Sequence, residues 1–193
     1  MEHTLLITAF EPFGGEKENA SLLAVEALPE QIGEWRLVKA TLPVVFGAAG
    51  ERAASLAEAC GAEAVVCVGQ AAGREAVTPE LVAINLRYAR IPDNAGQAPL
   101  DQPVRPGGRE AYFSTLPVRA MAEAIQGAGL PGALSCTAGT YVCNDLYYSL
   151  LDRFHGTRIR TAFIHVPSAR GERALPTEQA ARALEAAIRA IPV

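Results

Sequence analysis

The spacing of apolar positions changes period repeatedly along the chain, and that alternation predicts its architecture. Leu5 to Phe10 is a nearly unbroken apolar run of strand length, and Ala20 to Leu28 repeats apolar residues at helical spacing before stopping at Pro29. Trp35 to Leu42 returns to a strand-like pattern. Phe46 to Cys60 is rich in Ala, Leu and Glu, and ends at Gly61, the residue best suited to a left-handed helix terminus. Ala64 to Val68 is a short continuous apolar run of the kind buried on both faces of a sheet. A Gly- and Pro-rich stretch from Gly69 to about Leu116 follows, with a candidate strand at Val82 to Arg87 and loop from Ile91 to Pro106. The alternation then resumes with a helix over Val118 to Gly129, a strand over Ala133 to Thr137, a helix over Tyr141 to His155, a strand over Arg160 to Val166 and a helix over Pro176 to Ile191.

Repeated β-α units joined by right-handed crossovers predict an α/β protein, a three-layer α/β/α sandwich with a mostly parallel twisted sheet. The irregular middle is free to add an antiparallel strand or hairpin. At 193 residues, with no linker-like stretch, the pattern fits a single domain over 1–193.

Charge narrows the function. Seventeen Lys and Arg against 21 Asp and Glu give a net charge of −4, and the basic residues are scattered, so no nucleic-acid partner is expected. The apolar runs are too short to span a bilayer and the first residues lack the pattern of a leader, so no membrane association and a cytoplasmic location are expected. The cysteines Cys60, Cys67, Cys136 and Cys143 form no C-x-x-C, and the histidines do not fall at metal-binding spacing with them. Reduced thiols and no metal are the expectation.

Open α/β sheets bind ligands beyond the carboxyl ends of their strands. Four such ends carry unusual residues: Phe10 to Gly15, Gly69 to Arg74, Ala138 to Cys143 and His165 to Ser168. Cys143 falls at the first turn of a helix, where free amides and the helix dipole favour a thiolate and an oxyanion. His165 ends an apolar strand on the same edge and is placed to act as its base. Glu80 has two readings. Thr78-Pro79-Glu80 has the composition of a helix start, with Thr as cap and Pro at the first position; alternatively Glu80 orients His165 as the acid of a triad. Cys60, Cys67 and Cys136 read as packed small hydrophobes. His155 reads as a helix-end residue and His3 as part of a frayed terminus. Gly14-Gly15 and Gly69/Gly73 do not spell a phosphate loop. Phe10 and Phe13 belong either to a pocket wall or to ordinary core.

Taken together the segments resemble the pyroglutamyl peptidase I (pyrrolidone-carboxylate peptidase) family of cysteine peptidases. The resemblance runs through Thr8 to Glu16, Leu42 to Phe46, Val68 to Arg74, Thr78 to Leu86, Ala89 to Asn94, Ala111 to Val118, Thr137 to Asn144 and Phe163 to Pro167. It implies hydrolytic removal of an N-terminal pyroglutamate from peptides through a thioester, with Cys143 as nucleophile, His165 as base and Glu80 as acid, and without a cofactor. It further implies substrate contacts from Phe10, Phe13, Gln70, Tyr141 and Val142, with Asn19, Arg90 and Ile91 as supporting or lining residues. The family commonly forms tetramers, which implies a homo-oligomer. Three departures stand out. Ser168 to Gly171 replaces the family's Tyr and P-E-Q segment, Asp145 stands where His is frequent, and Asn19-Ala20-Ser21 replaces N-P-S. They bear on the entrance and on subunit contacts. A phosphorylase or nucleosidase on a similar sheet, or a non-catalytic small-ligand-binding module, are the competing readings.

Overall fold

The computed structural model describes residues 3–171 and 174–193. Eight strands, β1 (His3–Phe10), β2 (Gln31–Ile32), β3 (Trp35–Leu42), β4 (Ala64–Gln70), β5 (Thr78–Pro79), β6 (Val82–Ile84), β7 (Ala111–Phe113) and β8 (Arg160–Val166), alternate with five helices. These are α1 (Ala20–Glu26), α2 (Ala48–Ala59), α3 (Val118–Gly127), α4 (Val142–Arg153) and α5 (Thr177–Arg189). Six strands form one sheet in the order β2-β3-β1-β4-β8-β5. The central four are parallel, in register at Leu5 with Leu37, Ile7 with Val66 and Gly69 with His165, and the outermost pieces β2 and β5 run antiparallel.

Alternate residues of β1, β4 and β8 point to opposite faces, and each face meets its own helical layer. Leu5, Ile7, Val66, Ile164 and Val166 pack with α1, α3 and α5. The burial of Ala180, Ala183, Leu184, Ala187 and Ile188 repeats at the helical interval and makes one side of α5 a continuous apolar stripe. Leu6, Val65, Cys67 and Phe163 face α2 and α4 on the other side, where Tyr147 and Tyr148 are also buried. Gly61 has φ +64° just past α2, the left-handed turn that its lack of a Cβ permits.

Several sequence expectations are corrected. Thr78-Pro79 does not start a helix: it is β5, hydrogen-bonded antiparallel to β8 with Thr78 opposite His165. The expected strand over Ala133 to Thr137 does not form, although the segment lies parallel to residues 77–81. Ala133 N donates to Val77 O, Ser135 N to Pro79 O and Leu81 N to Ser135 O. The bond that would complete this ladder must come from the amide of residue 79, and proline has none. Val82 to Arg87 shortens to β6, paired with β7 in a separate two-stranded sheet. Cys136 is exposed rather than packed. His3 is not frayed; its Nδ1 lies 3.0 Å from the Glu63 carboxylate.

Candidate active site

The carboxyl ends of β1, β4 and β8 and the start of α4 enclose a hollow of about 550 Å³, open to solvent. Phe10, Phe13, Val44, Gln70, Tyr141, Val142, Cys143 and His165 all line it, with Asn19 and Ala138 to Thr140. No lysine or arginine does, among the described residues.

Cys143 owes its position to α4. The helix begins at Val142, no side chain caps it, and its first amides therefore have no partner within the helix. The sulfur hangs over the end of β4, so closely that a Cβ built on Gly69 would stand 3.0 Å from Cys143 Sγ and 2.9 Å from the Phe163 ring. Any side chain at 69 would displace the thiol or the ring. Gly69 is also the register partner of His165 on β8, so the thiol lies beside the histidine's strand at the sheet edge.

His165 is buried, with its ring 4.8 Å from that of Phe163. Its Nδ1 lies 2.7 Å from Glu80 Oε1, and Glu80 is itself fully buried. A carboxylate can only accept, so Nδ1 carries the proton and Nε2 is left with a lone pair. Burial lowers the pKa of His165, and the adjoining Glu80 opposes that drop. The imidazole is thereby neutral at rest. Glu80 is placed by main-chain bonds: its amide donates to Phe163 O at 2.8 Å and its carbonyl accepts from Tyr147 OH at 3.0 Å.

Burial pushes the Cys143 thiol up to about 12, with Glu80 adding to the rise and Arg74 working against it. Burial thus acts against the ionisation that the start of a helix favours.

The polar wall is similarly fixed. Gln70 Oε1 accepts from Ala20 N at 2.6 Å, which leaves its amide NH2 as the end without a hydrogen bond among the described residues. Asn19 is committed to the fold, donating to Glu11 O and accepting from Ser21 N and Ser21 Oγ, so it shapes the wall through α1. Tyr141 packs edge-on against Phe46 and donates from its hydroxyl to Pro92 O at 3.0 Å.

Arg90 and Ile91 do not reach this hollow. They line a neighbouring surface groove with Tyr88, which shares Phe13, Thr140 and Tyr141 with the site. Sequence reasoning placed the loops 69–74 and 138–143 at the site's edge but gave no role to Val44, to Gly69 as the floor beneath the sulfur, or to Arg74, whose guanidinium reaches Glu80 Oε1 at 2.5 Å. For Arg74 the available signal was its place at the end of the loop that follows β4. Among the described residues no group of His, Cys, Asp and Glu could hold a metal ion, and no helix is long and apolar enough to cross a membrane.

A thiol, an imidazole and a buried carboxylate gathered at the edge of a mostly parallel sheet are the equipment of a thiol-dependent hydrolase. Residues 3–193 match the pyroglutamyl peptidase family, and the chain belongs to it. A pyrrolidone-carboxylate peptidase of Levilactobacillus brevis is 47% identical over 200 residues, covering 98% of this chain and 97% of its own length. One from Enterococcus faecalis is 49% identical over 165 residues, covering 84% of this chain and 78% of its own. Among solved structures, pyroglutamyl peptidase I of Bacillus amyloliquefaciens superposes with a TM-score of 0.93 at 38% identity, covering 97% of this chain and 96% of its own. Pyrrolidone carboxyl peptidase of Thermus thermophilus does so with a TM-score of 0.89 at 35% identity, covering 96% and 98%.

Proposed function

We propose that this member of the family removes N-terminal pyroglutamate from peptides, with Cys143, His165 and Glu80 as its catalytic residues. The observation that carries the reading is the stacking of Cys143 Sγ over Gly69, the register partner of a histidine whose Nδ1 is held by a buried carboxylate.

The thiol attacks the pyroglutamyl carbonyl as its proton passes to His165 Nε2. The free amides at the start of α4 stabilise the oxyanion, and Glu80 stabilises the imidazolium. The imidazolium then protonates the departing amine, leaving a thioester, and His165 activates the water that hydrolyses it. Phe10, Phe13, Val44 and Val142 supply apolar walls for the lactam ring, and the NH2 of Gln70 is placed to donate to its carbonyl. A substrate with a free α-ammonium would lose its hydration there and find, among the described residues, no carboxylate lining the hollow to pair with. Arg90 and Ile91, in the neighbouring groove, flank the departing peptide rather than the ring. A phosphorylase reading gains nothing from a pocket that no cation lines among the described residues.

We further propose that the protein acts as a homo-oligomer in the cytoplasm. Phe113 and Leu100 are 69% and 62% exposed, which supports contact between copies, and four unbridged cysteines suit a reducing compartment. Light scattering tests the first point, and a monomer with no higher species would refute it.

Hydrolysis of pyroglutamyl-p-nitroanilide beside prolyl-p-nitroanilide, under reducing conditions, tests the activity. Turnover of the lactam alone, abolished in a folded Cys143→Ser variant, is the expected result. Undiminished turnover in that variant would remove Cys143 from the reaction.

A further inference from the structure

The guanidinium of Arg74 joins three segments that meet at the site. From the loop after β4 it donates through Nη1 to Glu80 Oε1 at 2.5 Å and also contacts the Thr78 hydroxyl of β5. Through Nη2 it donates to Thr137 O at 2.9 Å, in the loop that leads to Cys143. The oxygen it holds is the one that receives His165 Nδ1. Glu80 Oε2 has no hydrogen-bond partner among the described residues. One carboxylate oxygen therefore serves both the imidazole and a permanent cation.

We propose that Arg74 is a positioning residue of the catalytic apparatus: it holds the Glu80 oxygen that receives His165 Nδ1 and ties both residues to the loop that carries the nucleophile. The inference rests on the triad reading above.

A carboxylate with no exposed surface prefers to take up a proton unless a cation is fixed beside it. The titratable groups that face Glu80 among the described residues are His165 on β8, Cys143 and Tyr147 on α4, and Arg74. Of these, Arg74 alone carries a charge that does not titrate near neutrality. Without it the negative charge is neutralised by a proton, held either on Glu80 or on His165 as imidazolium. Each alternative spoils the resting state. A protonated Glu80 cannot stabilise an imidazolium, and a protonated His165 cannot accept from the thiol. Arg74 touches neither substrate nor sulfur in this scheme and acts wholly through Glu80.

The test is the pH dependence of kcat/KM on pyroglutamyl-p-nitroanilide, whose acid limb reports the free enzyme's essential base. In Arg74→Met the limb should move up by about one pH unit, and the rate at neutral pH should fall at least about tenfold. Arg74→Lys, which keeps the charge but loses the fork to Thr137, should hold the limb at its wild-type position while kcat falls. Arg74→Met combined with Glu80→Gln removes the need for a countercharge, and should fold and match Glu80→Gln alone. An unmoved limb in folded Arg74→Met, or a double variant that loses the product of both single losses, overturns the proposal. If Arg74→Met does not fold, a limb that moves in Arg74→Lys, or a folded double variant less active than Glu80→Gln alone, overturns the proposal. Inactive wild-type protein would overturn the triad reading itself; active wild type with an unmoved limb overturns only the role of Arg74.

Discussion

The two helical layers bury comparable strands by different means. The layer of α1, α3 and α5 is held by aliphatic contact, and α5 buries Ala180, Ala183, Leu184, Ala187 and Ile188 with no polar residue among them. In the other layer, α4 buries Asn144, Asp145, Tyr147 and Tyr148 and satisfies each by a specific bond. Asn144 accepts from Ile84 N and donates to Ile84 O and Leu86 O. Asp145 takes Arg87 Nε at 2.5 Å and Gly47 N at 2.7 Å. Tyr147 and Tyr148 donate to Glu80 O and Arg109 O. Aliphatic packing supplies stability and tolerates small shifts. Buried hydrogen bonds fix one arrangement, and the helix fixed in this way is the one that carries Cys143.

Leu184→Ala should sharpen the contrast most, costing about 3 kcal/mol of stability by chemical denaturation with kcat/KM per folded molecule unchanged. A fall in kcat/KM would show that the aliphatic layer also tunes the site. Gly69→Ala should do the reverse. Its Cβ displaces Cys143 or Phe163, and kcat/KM should drop about a hundredfold, roughly 2.7 kcal/mol, for a smaller loss of stability. Asn144→Leu should cost about 2 kcal/mol by leaving Ile84 N and Leu86 O without the bonds Asn144 gives them, with amide exchange quickened at residues 82–88; equal exchange in both proteins would remove that clamp.

The smallest effect is in pH. Burial holds the His165 pKa below its ordinary value near 6.5, so the acid limb of kcat/KM should lie below that pH. Because the unfolded chain binds the proton more readily, His165 lowers stability as pH falls from above 6.5 towards its folded pKa. Asp145 has the opposite sign: burial raises its pKa, so stability falls as pH rises from the ordinary aspartate value to the folded one. Asp145→Asn should flatten the second slope and leave the first, measured as denaturation midpoint against pH.

What the sequence disclosed follows the range of the forces involved. The long strands β1, β3, β4 and β8 and all five helices were legible because each is specified by its own periodicity, to within two or three residues at the ends. Cys143 and His165 were legible as residues at strand and helix ends on one sheet edge. Glu80 was ambiguous because Thr-Pro-Glu suits a helix start locally, whereas its place beside His165 is decided by pairing with β8, far away in sequence. Arg74 and Gly69 gave less still, since a guanidinium's reach and a missing Cβ acquire meaning once the partner segments are in place. Arg90 and Ile91 were brought close to the hollow but turned to the next groove, because the Tyr88 and Thr140 main chains bind each other and set that segment beyond Tyr141.

Pro79 has a consequence outside catalysis. A sheet that ended in long, fully paired strands would offer a row of open amides and carbonyls to any other chain. Here one margin ends in the two residues of β2, and the other in β5, which contains a proline and is covered by the 131–135 segment. The β5 margin can template intermolecular pairing over no more than a residue or two. The proline that breaks a ladder thus also guards a concentrated, newly made protein against edge-to-edge aggregation.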